Sequence, residues 1–227
     1  MSKTFIDMVT EFHKAFNHPV GDEVHYMGDD PNRKTARVSW MQEELDEYIE
    51  ADMAVDKVDA LVDLQYFLSG TLVEMGVDQE DWNMIYNDFL DIADANVVDT
   101  DYIFANLLYM KNSHKVKLGK VECPCHFRDI ELSIFMQNEI DNFALAEDIK
   151  SELDALFHLQ QSIGCTLKEM GVTSDQFQAC FEAVHEANMQ KLWPDGKPHY
   201  NDSNKVIKPE GWEQYTPEPK IEAILFG

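Results

Sequence analysis

The stretch 41-MQEELDEY-48 occurs a second time in altered form, as 136-MQNEIDNF-143, at a distance of 95 residues along the chain. Extending the alignment without a gap to residues 41–77 and 136–172 gives 16 identical positions out of 37. A coincidental likeness between two amphipathic helices does not explain one offset that holds across a turn. The sequence therefore predicts an internal duplication of a helical unit of about 95 residues.

The apolar spacing predicts that each unit is built from helices. Residues 4–16 carry apolar side chains three and four positions apart, and we expect further helices over about 34–52, 55–75 and 79–94. The intervening stretch 17–31 is rich in Gly, Pro and Asp and is predicted to be a loop. Few segments alternate with a period of two, so the expected fold class is all-α.

We expect two tandem repeats that pack as a pseudo-dimeric, four-helix-bundle-like core. The predicted units are residues 1–98, the first repeat with an acidic metal site, and residues 99–193, a degenerate second repeat. Residues 194–227 are predicted to be a short irregular or hairpin tail that packs near the active site. The tail is rich in Pro, Gly, Asn and Lys, and its aromatic residues argue against disorder.

The charge balance limits the partners. The chain of 227 residues carries 43 acidic and 18 basic side chains, a formal net charge of -25. Such a surface repels nucleic acid and anionic membranes, so neither is expected as a partner. There is no apolar run of about 18 residues and no signal-peptide pattern at the N-terminus, which favours a cytoplasmic location. Such an excess of acidic side chains usually forms a solvated surface, but it can also hold divalent cations.

The cysteines do not indicate a disulfide framework or a zinc site. Four of them, Cys123, Cys125, Cys165 and Cys180, are too few for a scaffold of this length. The cluster around Cys123 and His126 lacks the second ligand pair of a structural zinc site. Reduced thiols are expected.

The chemistry is expected on two helices of the first repeat. Glu44 and Glu47 lie three positions apart, Asp59 and Asp63 lie four apart, and Asp56 lies one turn earlier. Asp59 and Asp63 stand in an otherwise apolar segment, where ionised carboxylates are costly unless they are paired or bound to metal. If the two helices are antiparallel neighbours, these oxygens converge, and oxygen-only ligands suit Mg²⁺ or Mn²⁺.

Two other interpretations compete with this metal site. Acids on helices usually face solvent, and we expect that for Glu43, Asp46 and Glu50. A ferritin-like di-metal bundle would need two Glu-x-x-His pairs. The helical repeats contain one such pair, Glu182 and His185, and the first repeat has no counterpart.

The succession DMVTEFHKAF, MQEELDEYIEA and VDALVDLQYFLSGTLVEMGVD resembles the all-α nucleoside triphosphate pyrophosphohydrolases. That superfamily includes MazG-like proteins, phosphoribosyl-ATP pyrophosphohydrolase and the dimeric dUTPases. Glu44-x-x-Glu47 matches the first half of its acidic motif. In the second half Asp56-x-x-Asp59 replaces Glu by Asp, whereas Asp59-Ala-Leu-Val-Asp63 resembles the version of phage and bacterial members. A phage-encoded protein would act in the host cytoplasm.

The resemblance implies a metal-dependent pyrophosphohydrolase that converts a nucleoside or deoxynucleoside triphosphate to monophosphate and pyrophosphate. It implies Mg²⁺, or Mn²⁺, on Glu44, Glu47, Asp59 and Asp63, with Asp56 as a further candidate, and Glu44 or Glu47 as the base. The expected substrate contacts are Asn188, Lys191, Lys205, Lys208, His13 and Arg37. The alternative is a non-catalytic nucleotide- or partner-binding protein of the same fold. The chain would be a monomeric pseudo-dimer or a homodimer equivalent to four repeats.

The second repeat has lost part of the acidic motif. Glu44 and Asp59 correspond to Glu139 and Asp154, whereas Glu47 and Asp63 correspond to Asn142 and His158. In turn, the first repeat has Ala93 and Asn96 where the second has Asn188 and Lys191. The sequence thus predicts one active site per chain, with metal held by the first repeat and substrate contacts supplied by the second.

Overall fold

The computed structural model describes residues 3–85, 87, 118–200 and 206–227, and its regular elements are helices. They are α1 (Phe5–Ala15), α2 (Pro31–Glu50), α3 (Ala54–Glu74), α4 (His126–Leu145), α5 (Ile149–Glu169), α6 (Ser174–Met189) and α7 (Glu218–Phe226). The all-α prediction is confirmed for these ranges. No helix among them has the length and apolar character needed to cross a bilayer. The predicted helix over 79–94 is helical at 79–85, and the predicted boundary between 98 and 99 falls outside the described residues.

The helix bounds repeat along the chain. Helices α2 and α4 have 20 residues each, α3 and α5 have 21 each, and the second pair follows the first by 95 residues. Gly76 and Gly171, just after α3 and α5, both adopt positive φ angles, of 77° and 84°. The offset in the sequence is therefore also an offset between helices.

Two helical hairpins, α2–α3 and α4–α5, form the four-helix core. Helix α2 packs against α4 and α3 packs against α5, while α1, α6 and α7 also pack against α3. Fifteen of the 21 residues of α3 are buried. The helix that carries Asp59 and Asp63 is thus enclosed by five neighbours.

Capping side chains set the start of the first two helices. The Thr4 hydroxyl accepts from the Asp7 N–H, and the Asp7 carboxylate accepts from the Thr4 N–H, a capping box. The Asp30 carboxylate accepts from the Arg33 N–H at 3.1 Å, and Pro31 occupies the first turn. Helix α2 therefore begins at residue 31, three residues before the predicted start.

The loop between α1 and α2 is fastened to the end of α3. The Gly21 N–H donates to the Val73 carbonyl at 3.0 Å, and the His25 N–H donates to the Met75 carbonyl at 3.0 Å. Gly76 has φ +77°, and a Cβ atom there would lie 2.1 Å from the Glu23 carbonyl oxygen. Only glycine fits both the backbone angle and the close approach of the loop.

The tail is more regular than predicted. Trp212–Tyr215 forms a turn of 3₁₀ helix, and α7 follows with Ile221 and Leu225 buried. Tyr200 and Val206 pair in an isolated antiparallel bridge, and residues 201–205 between them lie outside the described part of the chain. The irregular-tail prediction missed α7 because its apolar run is short and closely follows Pro217 and Pro219.

Candidate active site

The α2–α3 hairpin brings the four predicted carboxylates together. Glu44 is 8% exposed, Asp59 and Asp63 are half-buried, and Glu47 is exposed. Each of Glu44, Asp59 and Asp63 lies close enough to other members of the group for the negative charges to repel. The predicted convergence of α2 and α3 therefore places these acids in one cluster, called here the acidic cluster.

Burial and mutual repulsion make these carboxyl groups weak acids. Burial, followed by the charges of Asp63 and Glu47, raises the pKa of Glu44 to about 9. Burial, followed by Asp63 and Glu218, raises the pKa of Asp59 to about 8. Burial also raises the pKa of Asp63 to about 6, although nearby Lys191 opposes the shift. The cluster therefore favours either bound protons or a bound cation.

The donor set fits a hard divalent cation. The cluster offers only carboxylate oxygens, which Mg²⁺ and Mn²⁺ prefer. Asp59 Oδ1 is buried, and no donor in the described residues reaches it. In the same ranges no three acidic, histidine or cysteine side chains already stand close enough to share one ion. Glu44, Glu47, Asp59 and Asp63 are thus the residues that would hold a cation once their side chains approach it.

A fifth carboxylate, Glu218, joins the cluster from the first turn of α7. Its charge raises the pKa of both Asp59 and Asp63. Sequence reasoning missed Glu218 because the tail was not predicted to contain a helix. Asp56, the additional candidate ligand, is exposed and also contributes to the raised pKa of Asp59.

Two predicted lysines from the second half of the chain face the acidic cluster. Lys191 and Lys208 both lower the pKa of Asp63, against the effect of its burial. They share the indole of Trp212, with Lys208 Nζ 3.9 Å and Lys191 Nζ 5.5 Å from the ring centre. The Trp212 Nε1–H donates to the Ala187 carbonyl at 3.1 Å, which fixes the ring on α6. Lys205 lies outside the described residues.

Asn188 links the lysines to the core of the bundle. Lys191 Nζ donates to Asn188 Oδ1 at 2.6 Å, and Asn188 also bonds to the Tyr66 side chain. Tyr66 lies one turn beyond Asp63 on α3, and its hydroxyl is 3.1 Å from His185 Nδ1. Asn188 therefore positions Lys191 beside the acidic cluster.

His13 and Arg37, two predicted substrate contacts, belong to a separate buried cluster. Both lie over Gly70, seven residues beyond Asp63 on α3 and so about 10 Å along the helix. Arg37 is 3% exposed and is paired with Glu74, which also accepts from Arg33 Nε at 2.6 Å. These arginines hold the pKa of Glu74 at about 2, against the effect of its burial. Their contacts are those of ion pairs that join α2 to the end of α3.

The Glu-x-x-His pair of the competing di-metal interpretation lies elsewhere. Glu182 Oε1 accepts from Gln178 at 2.9 Å. His185 contacts Tyr66 and lies 3.5 Å from Glu11 Oε2. Neither side chain joins the acidic cluster.

The second repeat has a cleft at the position equivalent to the acidic cluster. Its volume is about 830 Å³, and the four equivalent residues line it. Asn142 Nδ2 donates to Glu139 Oε2 at 2.9 Å, and His158 Nε2 lies 3.6 Å from Asp154 Oδ1. The two acids that the second repeat retains from the motif, Glu139 and Asp154, therefore each have a partner within the cleft.

Comparison with protein families gives a match that begins within α1 and extends beyond α3. Residues 9–87 match the family model of phosphoribosyl-ATP pyrophosphohydrolase. That family is part of the MazG-like nucleoside triphosphate pyrophosphohydrolase superfamily. The matched residues include the four carboxylates of the acidic cluster, so the match covers the predicted metal site. Comparisons with curated proteins and with solved structures give no match.

Proposed function

We propose that the chain is a metal-dependent nucleotide pyrophosphohydrolase that hydrolyses a nucleoside or deoxynucleoside triphosphate to monophosphate and pyrophosphate. The observation that carries the proposal is the acidic cluster of Glu44, Glu47, Asp59 and Asp63, which faces Lys191 and Lys208. Carboxylates that suit a cation thus lie near lysines that suit phosphate, and residues 9–87 match a pyrophosphohydrolase family model.

The side chains suggest a division of roles. Asp59, Asp63 and Glu44 would hold Mg²⁺ or Mn²⁺, which when bound neutralises phosphate oxygens and lowers the pKa of a water molecule. Glu47 is exposed, and either Glu47 or Glu44 would accept the proton of the attacking water. The water oxygen bonds to phosphorus as the bridge between the α- and β-phosphates breaks.

Lys191 and Lys208 would bind the departing pyrophosphate. Their ammonium groups lie over Trp212, and their charges act on Asp63, so both lysines lie near the acids. Asn188 would hold Lys191 in that position through its 2.6 Å hydrogen bond. Because these residues come from the second half of the chain, one site would require both halves.

The test is pyrophosphate release from a panel of ribo- and deoxyribonucleoside triphosphates with Mg²⁺ or Mn²⁺. We expect Glu47→Gln and Asp63→Asn to lower kcat by about 10²-fold or more, as expected for loss of a proton acceptor or a metal ligand. Asp154→Asn, at the second-repeat position equivalent to Asp59, is the matched control and should retain activity. Activity that survives both substitutions would contradict the site assignment.

The alternative, a binding protein of the same fold, predicts a different pattern. It requires nucleotide binding without release of pyrophosphate from any member of the panel. Calorimetric titration with a non-hydrolysable triphosphate analogue in the presence of Mg²⁺ separates the two. Binding together with release supports the enzyme, and binding alone supports the alternative.

A further inference from the structure

The contact between α2 and α4 has an approximate twofold axis. Gln42 Nε2 donates to Gln137 Oε1 at 2.8 Å, and Gln137 Nε2 donates to Gln42 Oε1 at 2.7 Å. The two glutamines are 95 residues apart and so occupy the same position in their repeats. Their reciprocal bonds place them on the axis, so a contact on one side of it can have a mate on the other side in which the repeats exchange roles.

Two buried ion pairs across this interface are such mates. Lys34 Nζ lies 3.0 Å from Glu152 Oε1, and Lys57 Nζ lies 3.0 Å from Asp129 Oδ2. Position 34 corresponds to position 129, and position 57 corresponds to position 152. The geometry is therefore shared by the two pairs, but both lysines belong to the first repeat and both acids to the second.

These charges are poorly placed for solvation. The side chains of Lys34, Glu152 and Lys57 are 9%, 0% and 4% exposed, and that of Asp129 is 22% exposed. Lys34 Nζ also donates to the Ala146 carbonyl at 2.7 Å. A buried charge whose partner is replaced by a like charge is strongly unfavourable, because it has lost its water without gaining a counter-ion.

We infer that Lys34, Lys57, Asp129 and Glu152 make each repeat pair with the other kind of repeat and reject its own kind. If the first repeats of two chains paired through this face, Lys34 of each would meet Lys57 of the other. Pairing of two second repeats would place Asp129 against Glu152 twice. The arrangement favours the pairing of a first repeat with a second repeat and opposes the pairing of two first repeats, or of two second repeats, from different copies. This inference does not depend on the proposed enzymatic activity.

The test exchanges the positive and the negative residue of one ion pair, so that the two charges of the pair remain opposite. In Lys57→Glu/Asp129→Lys, the contact within one chain remains complementary, but contacts between like repeats become complementary as well. The Tyr48 hydroxyl, which donates to Asp129 at 2.5 Å, can accept from a lysine there. The Lys57→Glu/Asp129→Lys protein should therefore fold, and it should no longer discriminate between like and unlike repeats.

A second swap and a fourfold variant complete the design. Lys34→Glu/Glu152→Lys removes discrimination at the other pair, although the Met27 and Gly28 N–H groups then lose the carboxylate that accepts from them. In the fourfold variant all four charges are reversed, so the first repeat is wholly acidic and the second wholly basic at these positions. Like repeats then repel again, and discrimination should return.

The measurement is refolding of two differently tagged full-length copies from denaturant, followed by co-purification through one tag and mass determination by light scattering. Circular dichroism confirms that each variant has folded. We expect either double swap to raise the mixed-tag fraction about tenfold over wild type, and the fourfold variant to return it to the wild-type level. A folded double swap with the wild-type mixed fraction would overturn the inference, as would a fourfold variant that stays mixed. The mixed-tag fraction of wild type measures association of copies by every other route, and it is the baseline for both comparisons.

Discussion

The Nζ atom of Lys208 lies 3.9 Å from the centre of the Trp212 ring, and the same ring lies 5.5 Å from Lys191 Nζ. An aromatic face that holds two ammonium groups keeps them directed at the acidic cluster before any substrate is present. The tail thereby contributes to the candidate active site through a side chain that would not itself bind metal or accept a proton.

Replacement of this ring should weaken substrate binding. We expect Trp212→Leu to lower kcat/KM by about 5–30-fold, because a cation–π contact contributes about 1–2 kcal/mol when desolvated. Trp193→Leu is the control, since the Trp193 ring stacks on His199, with the ring centres 4.4 Å apart. The measurement is steady-state pyrophosphate release at constant Mg²⁺. Equal losses in the two variants would show that the effect is a general loss of packing.

Removal of one carboxylate should stabilise the metal-free protein. In Asp63→Asn an acid whose pKa is raised by burial is lost, and the repulsion on Glu44 and Asp59 falls. We expect the free energy of unfolding in EDTA near neutral pH to rise by about 1–2 kcal/mol, and the stabilisation by Mg²⁺ to disappear.

Asp154→Asn is the matched control for this experiment. Asp154 is paired with His158, and its side chain is 49% exposed. Its removal should change stability little in EDTA and leave the stabilisation by Mg²⁺ intact. A destabilised Asp63→Asn protein in EDTA would contradict the picture of a repulsive cluster.

His13 should make stability fall in mild acid. Its Nδ1–H donates to the Pro19 carbonyl at 2.7 Å, so Nε2 is left to accept from Arg37 Nη2 at 3.2 Å. Burial, followed by the positive charge of Arg37, lowers the pKa of His13 to about 3, with nearby Glu74 and His18 acting in opposite directions. In the unfolded chain this histidine binds a proton near pH 6.5, whereas in the folded chain it stays neutral. The free energy of unfolding therefore decreases as the pH falls from about 6.5 to about 3.

The comparison with His13→Gln isolates this contribution. The stability advantage of wild type over the variant should shrink by about 1–3 kcal/mol between about pH 6.5 and about pH 4.5. Urea unfolding at the two pH values measures it. His25→Gln, at an exposed position on the following loop, is the control for a histidine substitution as such. An advantage that is independent of pH would contradict a neutral, buried His13.

Gly76→Ala should destabilise the chain strongly. The substitution places an L-residue at φ +77° and a Cβ atom 2.1 Å from the Glu23 carbonyl oxygen, so the loop before α2 must move. We expect a loss of about 2–4 kcal/mol in the free energy of unfolding, measured in urea. Gly196→Ala has a similar φ, +74°, with no atom within 4 Å of the new Cβ among the described residues. Gly196→Ala should lower the free energy of unfolding by only about 1 kcal/mol. Equal losses in the two variants would show that the backbone angle, and not the close contact with the loop, causes the destabilisation.

The sequence was a good guide where the signal was local or repeated. Apolar spacing predicted α1, α2 and α3 to within about three residues at each end, and the spacing of Glu44, Glu47, Asp59 and Asp63 predicted their convergence. Lys191 and Lys208 were predicted through a family resemblance, and the structure places both beside Asp63. Whether these residues bind substrate stays a prediction.

Contacts between distant parts of the chain could not be predicted in this way. Glu218 reaches the acidic cluster only because α7 packs against α3 and α6, which no periodic pattern near residue 218 indicates. The family resemblance implies a substrate contact for Arg37, and that role stays a prediction. The pairing of Arg37 with Glu74 depends on the packing of α2 along the far end of α3.

The enclosure of α3 by five helices has a thermodynamic consequence for metal binding. The backbone that carries Asp59 and Asp63 is ordered by packing alone, so a cation that binds there needs only side-chain movement. In a small zinc-dependent domain, by contrast, the free energy of metal binding is also the free energy of folding. Here a chelator should empty the site and leave the helices in place, so that affinity for the ion and the architecture of the bundle can be altered independently of each other.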